Sequence, residues 1–290
     1  IPRGYTMCVT TYLSSLTGGF SQCAGNNPSV SIMEAGFEEA HMDVRYINCE
    51  VAPEHLANAV KGAIAMVWLG FNCSLPHKET VLEHLDSVGE SARLIGAVNT
   101  VVIRDGQLTG ENTDGKGFVE ALRTQRDPRG ARAVIFGAGG AARAIAIELG
   151  LAGAASITIV NRTAERGQAL AEHVDHNTEA ECSFTPWGSQ FRIPGGCDLV
   201  VNATSIGFSP QEDQTLDVDF SAFPTGAVVA DVVPNPPMTR WLRAAQDAGC
   251  IPLTGVGMLV NQALVNAKLW TGETLDATVM HRAFEEALGI

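Results

Sequence analysis

No two of the seven cysteines form a CxxC pair, and the seven histidines show no metal-ligand spacing. Cysteines at 8, 23, 49, 73, 182, 197 and 250 are odd in number and widely spread, which argues against a disulfide framework. Reduced thiols and a cytoplasmic setting are expected instead, with no bound metal. Basic residues are scarce, 19 against 32 acidic ones, and they are not clustered; the formal net charge is −13. Long-range electrostatics therefore disfavour nucleic acid and anionic membranes as partners, and leave a small molecule as the expected one, bound by a monomer or homodimer. No apolar run reaches membrane-spanning length, and the opening IPRGYTMCVTTYL lacks a signal-peptide layout. What is present is a 290-residue chain, 46% hydrophobic and 18% charged, long enough for about two domains with real cores.

The first hundred residues alternate strand-like and helix-like stretches. YTMCVTTYL reads as a strand, SIMEAGFEEAH as a helix, DVRYINCEV as a strand, PEHLANAVKGAIAMV as a helix and LGFNCS as a short strand. A helix is expected after Pro76, then a hairpin pairing VNTVVIRD with QLTGEN around Gly106. This order predicts an α/β layer fold with a largely parallel sheet. After the polar stretch RDPRGAR a second unit opens with ARAVIFGAGGAARAIAIELG and continues through the apolar strands SITIVNR, DLVVNAT, AVVADVV and CIPLTG. That series is the order of a doubly wound dinucleotide domain. The last stretch is helical, and residues 174–197 carry no clear element.

AVIFGAGGAARA places a strand directly before glycines and a helix directly after them. Gly137 permits the tight turn, Gly139 lets the backbone approach a pyrophosphate, and Ala142 permits close helix packing. Ala138, Gly140 and Ala141 complete the turn, whose helix N-terminus offers free N–H groups to an anion. The next strand ends in Asn161, Arg162 and Thr163, with Arg166 one turn on, where an NAD site would carry a carboxylate. Guanidinium and hydroxyl groups suit a 2′-phosphate, so NADP(H) is expected over NAD(H). Asn202, Thr204 and Ser205 end another strand and read either as cofactor-side loop residues or as turn formers.

Lys78 raises a separate question. It sits at an expected helix start, where partial positive charge disfavours a cation and depresses its pKa. A tuned lysine suits proton transfer, although it can equally bend back to solvent. Asn72, Ser74, Asn99 and Asp114 stand at other strand or helix ends, and together these residues make a kit for binding a polyol and moving one proton. Asp114 also reads as a helix cap.

With NCSLPHK, IGAVNTVV, GENTDGKGF, FGAGGAARA, VNRTAER, VNATSIGF, DVVPNP and GMLVNQA all present in order, the sequence resembles the shikimate dehydrogenase family over about residues 40–275. The resemblance implies a Rossmann-type NADP domain at 116–256, and an N-terminal α/β substrate domain at 1–115 completed by the C-terminal helices at 257–290. It implies reversible hydride transfer between NADPH and a 3-keto group of the dehydroshikimate kind, and a place in aromatic amino acid biosynthesis. Lys78 and Asp114 then correspond to the catalytic pair; Asn72, Ser74, Asn99 and Gln262 to substrate ligands; and Gly255 and Met258 to cofactor contacts.

Two departures stand out. The family's Ser-x-Ser-Pro run, whose hydroxyls hold the substrate carboxylate, is replaced here. Anchored on MEAGF, Asn27 takes the first serine's place, Ser29 the second's and Val30 the proline's. Pro234 stands where the family usually has a tyrosine, and proline has no side-chain donor. Each hydrogen bond lost to a charged group costs about 1.5–3 kcal/mol, so quinate, an amino analogue or another altered ring compound is expected to compete with shikimate. Rival readings are an NADP-binding sensor with little turnover and an enzyme of the methylenetetrahydrofolate dehydrogenase kind.

Overall fold

The fold was obtained as a computed structural model, which describes residues 13–289. Its first half runs β1 (Ser15–Ser21), α1 (Ser29–Glu39), β2 (Val44–Glu50), α2 (Leu56–Ala65), β3 (Gly70–Cys73), α3 (His77–Thr80), β4 (Ser87–Val88), α4 (Glu90–Ile95), β5 (Thr100–Arg104), β6 (Gln107–Glu111) and α5 (Asp114–Arg123). The second half runs β7 (Arg132–Phe136), α6 (Gly140–Leu151), β8 (Ser156–Asn161), α7 (Ala164–Asn177), β9 (Glu181–Pro186), β10 (Leu199–Asn202), β11 (Val228–Asp231), α8 (Arg240–Asp247), β12 (Ile251–Leu253), α9 (Gly255–Thr271) and α10 (Ala277–Leu288). Most of the expected strand YTMCVTTYL lies outside the described residues.

The first sheet has the order β2-β1-β3-β5-β6-β4. Three of its pairings are parallel, β1 with β2, β1 with β3 and β4 with β6, while β5 runs antiparallel to both β3 and β6. Asp105 (φ 52°) and Gly106 (φ 76°) both take the left-handed conformation that a two-residue hairpin turn needs, and this reverses the chain where the sequence predicts a hairpin. The second sheet has the order β12-β11-β10-β7-β8-β9 and is parallel throughout. Strands such as LVVN and VVAD are buried along their whole length, because helices cover both faces of such a sheet. The order reverses between β7 and β10, which opens a crevice at their carboxyl ends.

The chain leaves the first sheet through α5 and returns to it through α9. Helix α9 packs along α5, and its Trp270, 1% exposed, sends its indole N–H 3.0 Å to the carbonyl of Val101 in β5. Losing a buried tryptophan of this kind costs about 3–5 kcal/mol, so this contact is a main tie between the C-terminal helices and the first sheet. Helix α10 then packs on α1. Helix α5 also touches α6, and is therefore an element shared by the two halves.

Two expectations about local structure are corrected. The stretch after Pro76 is one α-turn followed by a 3-10 turn over Val81–His84, not a continuous helix. So short a helix supplies little dipole, and the argument that a helix start tunes Lys78 loses its basis. Residues 174–197, where the sequence shows no clear element, contain the end of α7 and the edge strand β9. Among the described residues no helix is long and apolar enough to cross a membrane, and no cluster of His, Cys, Asp or Glu is arranged to hold a metal.

Candidate active site

Lys78 and Asp114 come from different elements and meet. The ammonium of Lys78 lies 2.6 Å from Asp114 Oδ2, with the side chains 29% and 22% exposed, so the pair is sheltered yet reachable. Asp114 is the first residue of α5 but not its cap: its other oxygen, Oδ1, accepts a hydrogen bond of 2.9 Å from Asn99 Nδ2. The backbone of Lys78 is held as well, since its carbonyl accepts from Val98 N at 2.8 Å. What faces the lysine is thus a fixed carboxylate.

Beneath the pair lies a network that joins Asn99 and Gln262, expected from the sequence, to Thr100 and Asn266, which were not. Asn99 Oδ1 accepts from Thr113 N at 2.7 Å, and Asn99 Nδ2 reaches Thr113 Oγ1, Asp114 Oδ1 and Gln262 Oε1. The hydroxyls of Thr100 and Thr113 each donate to Asn266 Oδ1 at 2.7 Å. Thr100, Thr113 and Asn266 are fully buried. Buried polar groups of this kind hold position only when each finds a partner, and these do. Small buried threonines leave no periodic signature, so only their neighbours in the NTDG run hinted at them.

Asn72 is braced in the same way. Tyr46 Oη donates to its Oδ1 at 3.0 Å, while its Nδ2 donates to Asn99 O and Thr100 Oγ1. The Tyr46 hydroxyl crosses β1 to get there, and Gly19 makes this possible: a Cβ at that position would stand 2.7 Å from it. Burial pushes the Tyr46 phenol far above its ordinary pKa, so it stays a donor.

Above the network is a cleft of about 320 Å³. Lys78, Asp114, Asn72, Ser74, Asn99 and Gln262 line it, together with Ser21, Cys23, Asn27 and Ser29. Among the described residues Lys78 and Asp114 are its only charged lining groups, and they neutralise each other, so none of these residues offers a free cation to a substrate anion. Asn27 Oδ1 accepts from Ser29 N at 3.0 Å, and Asn48 Nδ2 pins this corner through the carbonyls of Ala24 and Asn27. Burial raises the Cys73 thiol to about 12, so the cysteine at the cleft floor is an inert neutral group.

The glycine turn lies at the crevice of the second sheet. Gly137 adopts φ +113°, and a Cβ there would come within 2.9 Å of the Ala203 carbonyl. Gly139 and Gly140 have nothing within 4 Å of a would-be Cβ, so the turn leaves an open cradle. Arg143 N donates to Gly139 O at 2.9 Å as the first bond of α6, which leaves the N–H groups of Gly140, Ala141 and Ala142 without partners in the helix. A cradle of free donors with no side chain in it fits a pyrophosphate. Thr204 and Ser205 form the facing wall with Phe208, Val233 and Pro234. Pro234 therefore lines this groove and is not among the residues of the substrate cleft. Arg162, Thr163 and Arg166 are exposed beyond the end of β8, and Asn161 is tied to Thr163 O through its Nδ2. Met258 packs on the core beneath, and Gly255 is buried against the Val233 carbonyl.

Asn202 does not face the groove. It is fully buried, with Nδ2 donating to Asp231 Oδ1 and Ile206 O, and Oδ1 accepting from Thr204 N and Oγ1. It builds the turn that Thr204 and Ser205 sit on. Its partner Asp231, unnoticed in the sequence, is 2% exposed and also accepts from Val233 N and Thr239 Oγ1. Burial outweighs those bonds and raises its pKa to about 6.

Comparison with known proteins agrees over most of the chain. Residues 24–101 match the shikimate dehydrogenase substrate binding domain, residues 120–206 the shikimate / quinate 5-dehydrogenase family, and residues 255–283 the shikimate 5′-dehydrogenase C-terminal domain. A shikimate dehydrogenase (NADP(+)) of Methanopyrus kandleri is 42% identical over 264 residues, covering 90% of this chain and 91% of that one. Among solved structures, a ligand-free 5-ketofructose reductase of Gluconobacter sp. strain CHM43 superposes with a TM-score of 0.93 at 53% identity, covering 95% of this chain and 99% of that one. A shikimate 5-dehydrogenase of Thermus thermophilus, in complex with NADP(H) and shikimate, superposes with a TM-score of 0.83 at 32% identity, covering 94% and 99%.

Proposed function

The chain belongs to the shikimate dehydrogenase family, and on that premise we propose that it is an NADP-dependent oxidoreductase that interconverts a polyhydroxylated ketone and its secondary alcohol. The observation that carries this reading is the Lys78–Asp114 pair at 2.6 Å inside a polar cleft. Bound NADPH supplies the hydride for the ketone carbon. Lys78 Nζ hydrogen-bonds the ketone oxygen and gives it a proton as negative charge develops there; in the oxidative direction it takes the proton back. Asp114 orients the ammonium and balances its charge. Asn72, Ser74, Asn99 and Gln262 hold substrate hydroxyls, and orientation in the cleft supplies much of the acceleration. Gly137, Ala138, Gly139, Gly140 and Ala141 would hold the cofactor's pyrophosphate, and Arg162, Thr163 and Arg166 would meet its 2′-phosphate.

The division of labour follows the two sheets. Residues 1–115 with 257–290 make the substrate unit and 116–256 the nucleotide unit; the packing of α10 on α1 supports the return of the C-terminal helices to the first unit.

Within that reaction a neutral polyhydroxylated ketone is the preferred substrate. Among the described residues, the wall that would receive a carboxylate carries Asn27 and Ser29 with no cation. The 53% identity to a protein named 5-ketofructose reductase points the same way. Shikimate is the second reading, favoured by the retained Ser29, Asn72, Asn99 and Gln262 and by relatives named for it. Steady-state assays on nicotinamide absorbance decide, with 5-ketofructose, shikimate and quinate, each with NADP(H) and NAD(H). The neutral ketone with NADPH is expected to give the highest kcat/KM. A micromolar KM for shikimate with the greater kcat/KM rejects the neutral-substrate reading, and no turnover on any of them rejects the enzyme.

A further inference from the structure

Arg162 stands beyond the end of β8 with its guanidinium carbon 5.6 Å from the centre of the Trp187 ring. Among the described residues it makes no hydrogen bond or ion pair, so its five N–H donors are free. Trp187 is itself firmly placed. Its backbone N–H donates 3.1 Å to the carbonyl of Asn161, the residue before Arg162. Its indole N–H donates 3.3 Å to Asp217 O, and its ring meets Phe136 edge-on with centroids 5.3 Å apart. Phe136 is the last residue of β7, directly before Gly137. One indole thus keys the loop after β8 to the strand that carries the glycine turn, and offers Arg162 a face.

We propose that Trp187 is a positioning residue for cofactor choice: it holds the Arg162 guanidinium over its ring with the donors free, poised for the 2′-phosphate that distinguishes NADP from NAD. This rests on the NADP reading above and goes beyond it, because Trp187 follows β9, outside the residues assigned to the cofactor, and acts only through Arg162. An exposed arginine loses much rotamer freedom when it clamps a phosphate. A stacked one has lost part of it beforehand, so less is lost on binding. Stacking of this type at an exposed site is worth about two- to fivefold in an equilibrium constant.

The test measures dissociation constants of NADPH, NADH and 2′,5′-ADP for the wild type, Trp187→Leu, Trp187→Phe, Arg162→Ala and the Trp187→Leu/Arg162→Ala double variant. Nicotinamide fluorescence reports the first two ligands and calorimetry the third, with melting curves to check folding. Trp187→Leu is expected to weaken NADPH and 2′,5′-ADP about three- to fivefold and leave NADH within about twofold. Trp187→Phe recovers part of the loss, and in the Arg162→Ala background Trp187→Leu has no further effect. Equal weakening of NADPH and NADH, or an undiminished effect without Arg162, overturns the proposal while leaving the NADP reading in place. Wild-type protein that binds NADH as tightly as NADPH overturns both.

Discussion

Asn99 Nδ2 donates to one oxygen of the Asp114 carboxylate at 2.9 Å while Lys78 holds the other at 2.6 Å. The carboxylate is therefore fixed at both ends, and Asn99 is fixed in turn by Thr113 N. In the proposed reaction a general acid must point its proton at the reacting atom, and this brace would hold Lys78 for that role without a long helix behind it.

Removing the proton donor should separate chemistry from binding. Lys78→Ala and Asp114→Asn are each expected to lower kcat by about 10²–10⁴-fold. The NADPH dissociation constant, read by nicotinamide fluorescence, should stay within about twofold, since neither side chain lines the glycine cradle. A parallel loss of cofactor binding would place the pair elsewhere in the cycle.

The two glycines of the turn should behave differently. A Cβ at Gly139 meets no protein atom within 4 Å, so for Gly139→Val the melting temperature is expected to hold while NADPH binding is lost, because the branched side chain fills the cradle. Gly137→Ala forces a Cβ against the Ala203 carbonyl at φ +113°, a strain of about 1–3 kcal/mol. Urea midpoints on both variants test this contrast.

Substrate choice should respond to Asn27. Restoring a hydroxyl with Asn27→Ser is expected to raise kcat/KM for shikimate about tenfold or more, in line with one recovered hydrogen bond to a charged group. The value for a neutral ketone should not rise. An unchanged ratio of the two would remove Asn27 from the specificity wall.

Asp231 predicts a pH dependence of unusual sign. Burial raises its pKa to about 6, above the unfolded value, so the folded chain keeps a proton that the unfolded chain has released. Its stabilising contribution is present below the unfolded pKa and is lost as pH rises through about 6. Denaturant titrations of wild type and Asp231→Asn from about pH 4 to about pH 7 should differ by a fall on the order of 3 kcal/mol, carried by the wild type alone. Parallel curves would mean that the carboxylate is ionised throughout.

Much of this was legible in the residues, and the gaps have physical causes. The glycine turn and the Asp105–Gly106 hairpin were readable because backbone conformation demands particular residues there. The β9 strand was not, since ECSFTP mixes small polar residues with a terminal proline, as an edge strand can. The short β4 pairs only two residues with β6 and gives no pattern to read. At the site, Lys78 and Asp114 were recognisable through their motifs. The support from Thr100, Thr113, Asn266 and Tyr46 was not, because a buried hydroxyl and a surface one look alike until the chain is folded. Asn202 shows the reverse case: a polar residue at a strand end that the fold spends on its own turn.

The return of α9 to the first sheet sets an order on synthesis. A growing chain can lay down every strand of the parallel sheet, and so gain a nucleotide-binding surface, before Gln262 and Trp270 have left the ribosome. The cleft closes only afterwards. Cleavage at Thr254, the single residue between β12 and α9, would leave a protein that still holds its coenzyme half but has nothing to reduce, and such a fragment would compete for the coenzyme without turning it over.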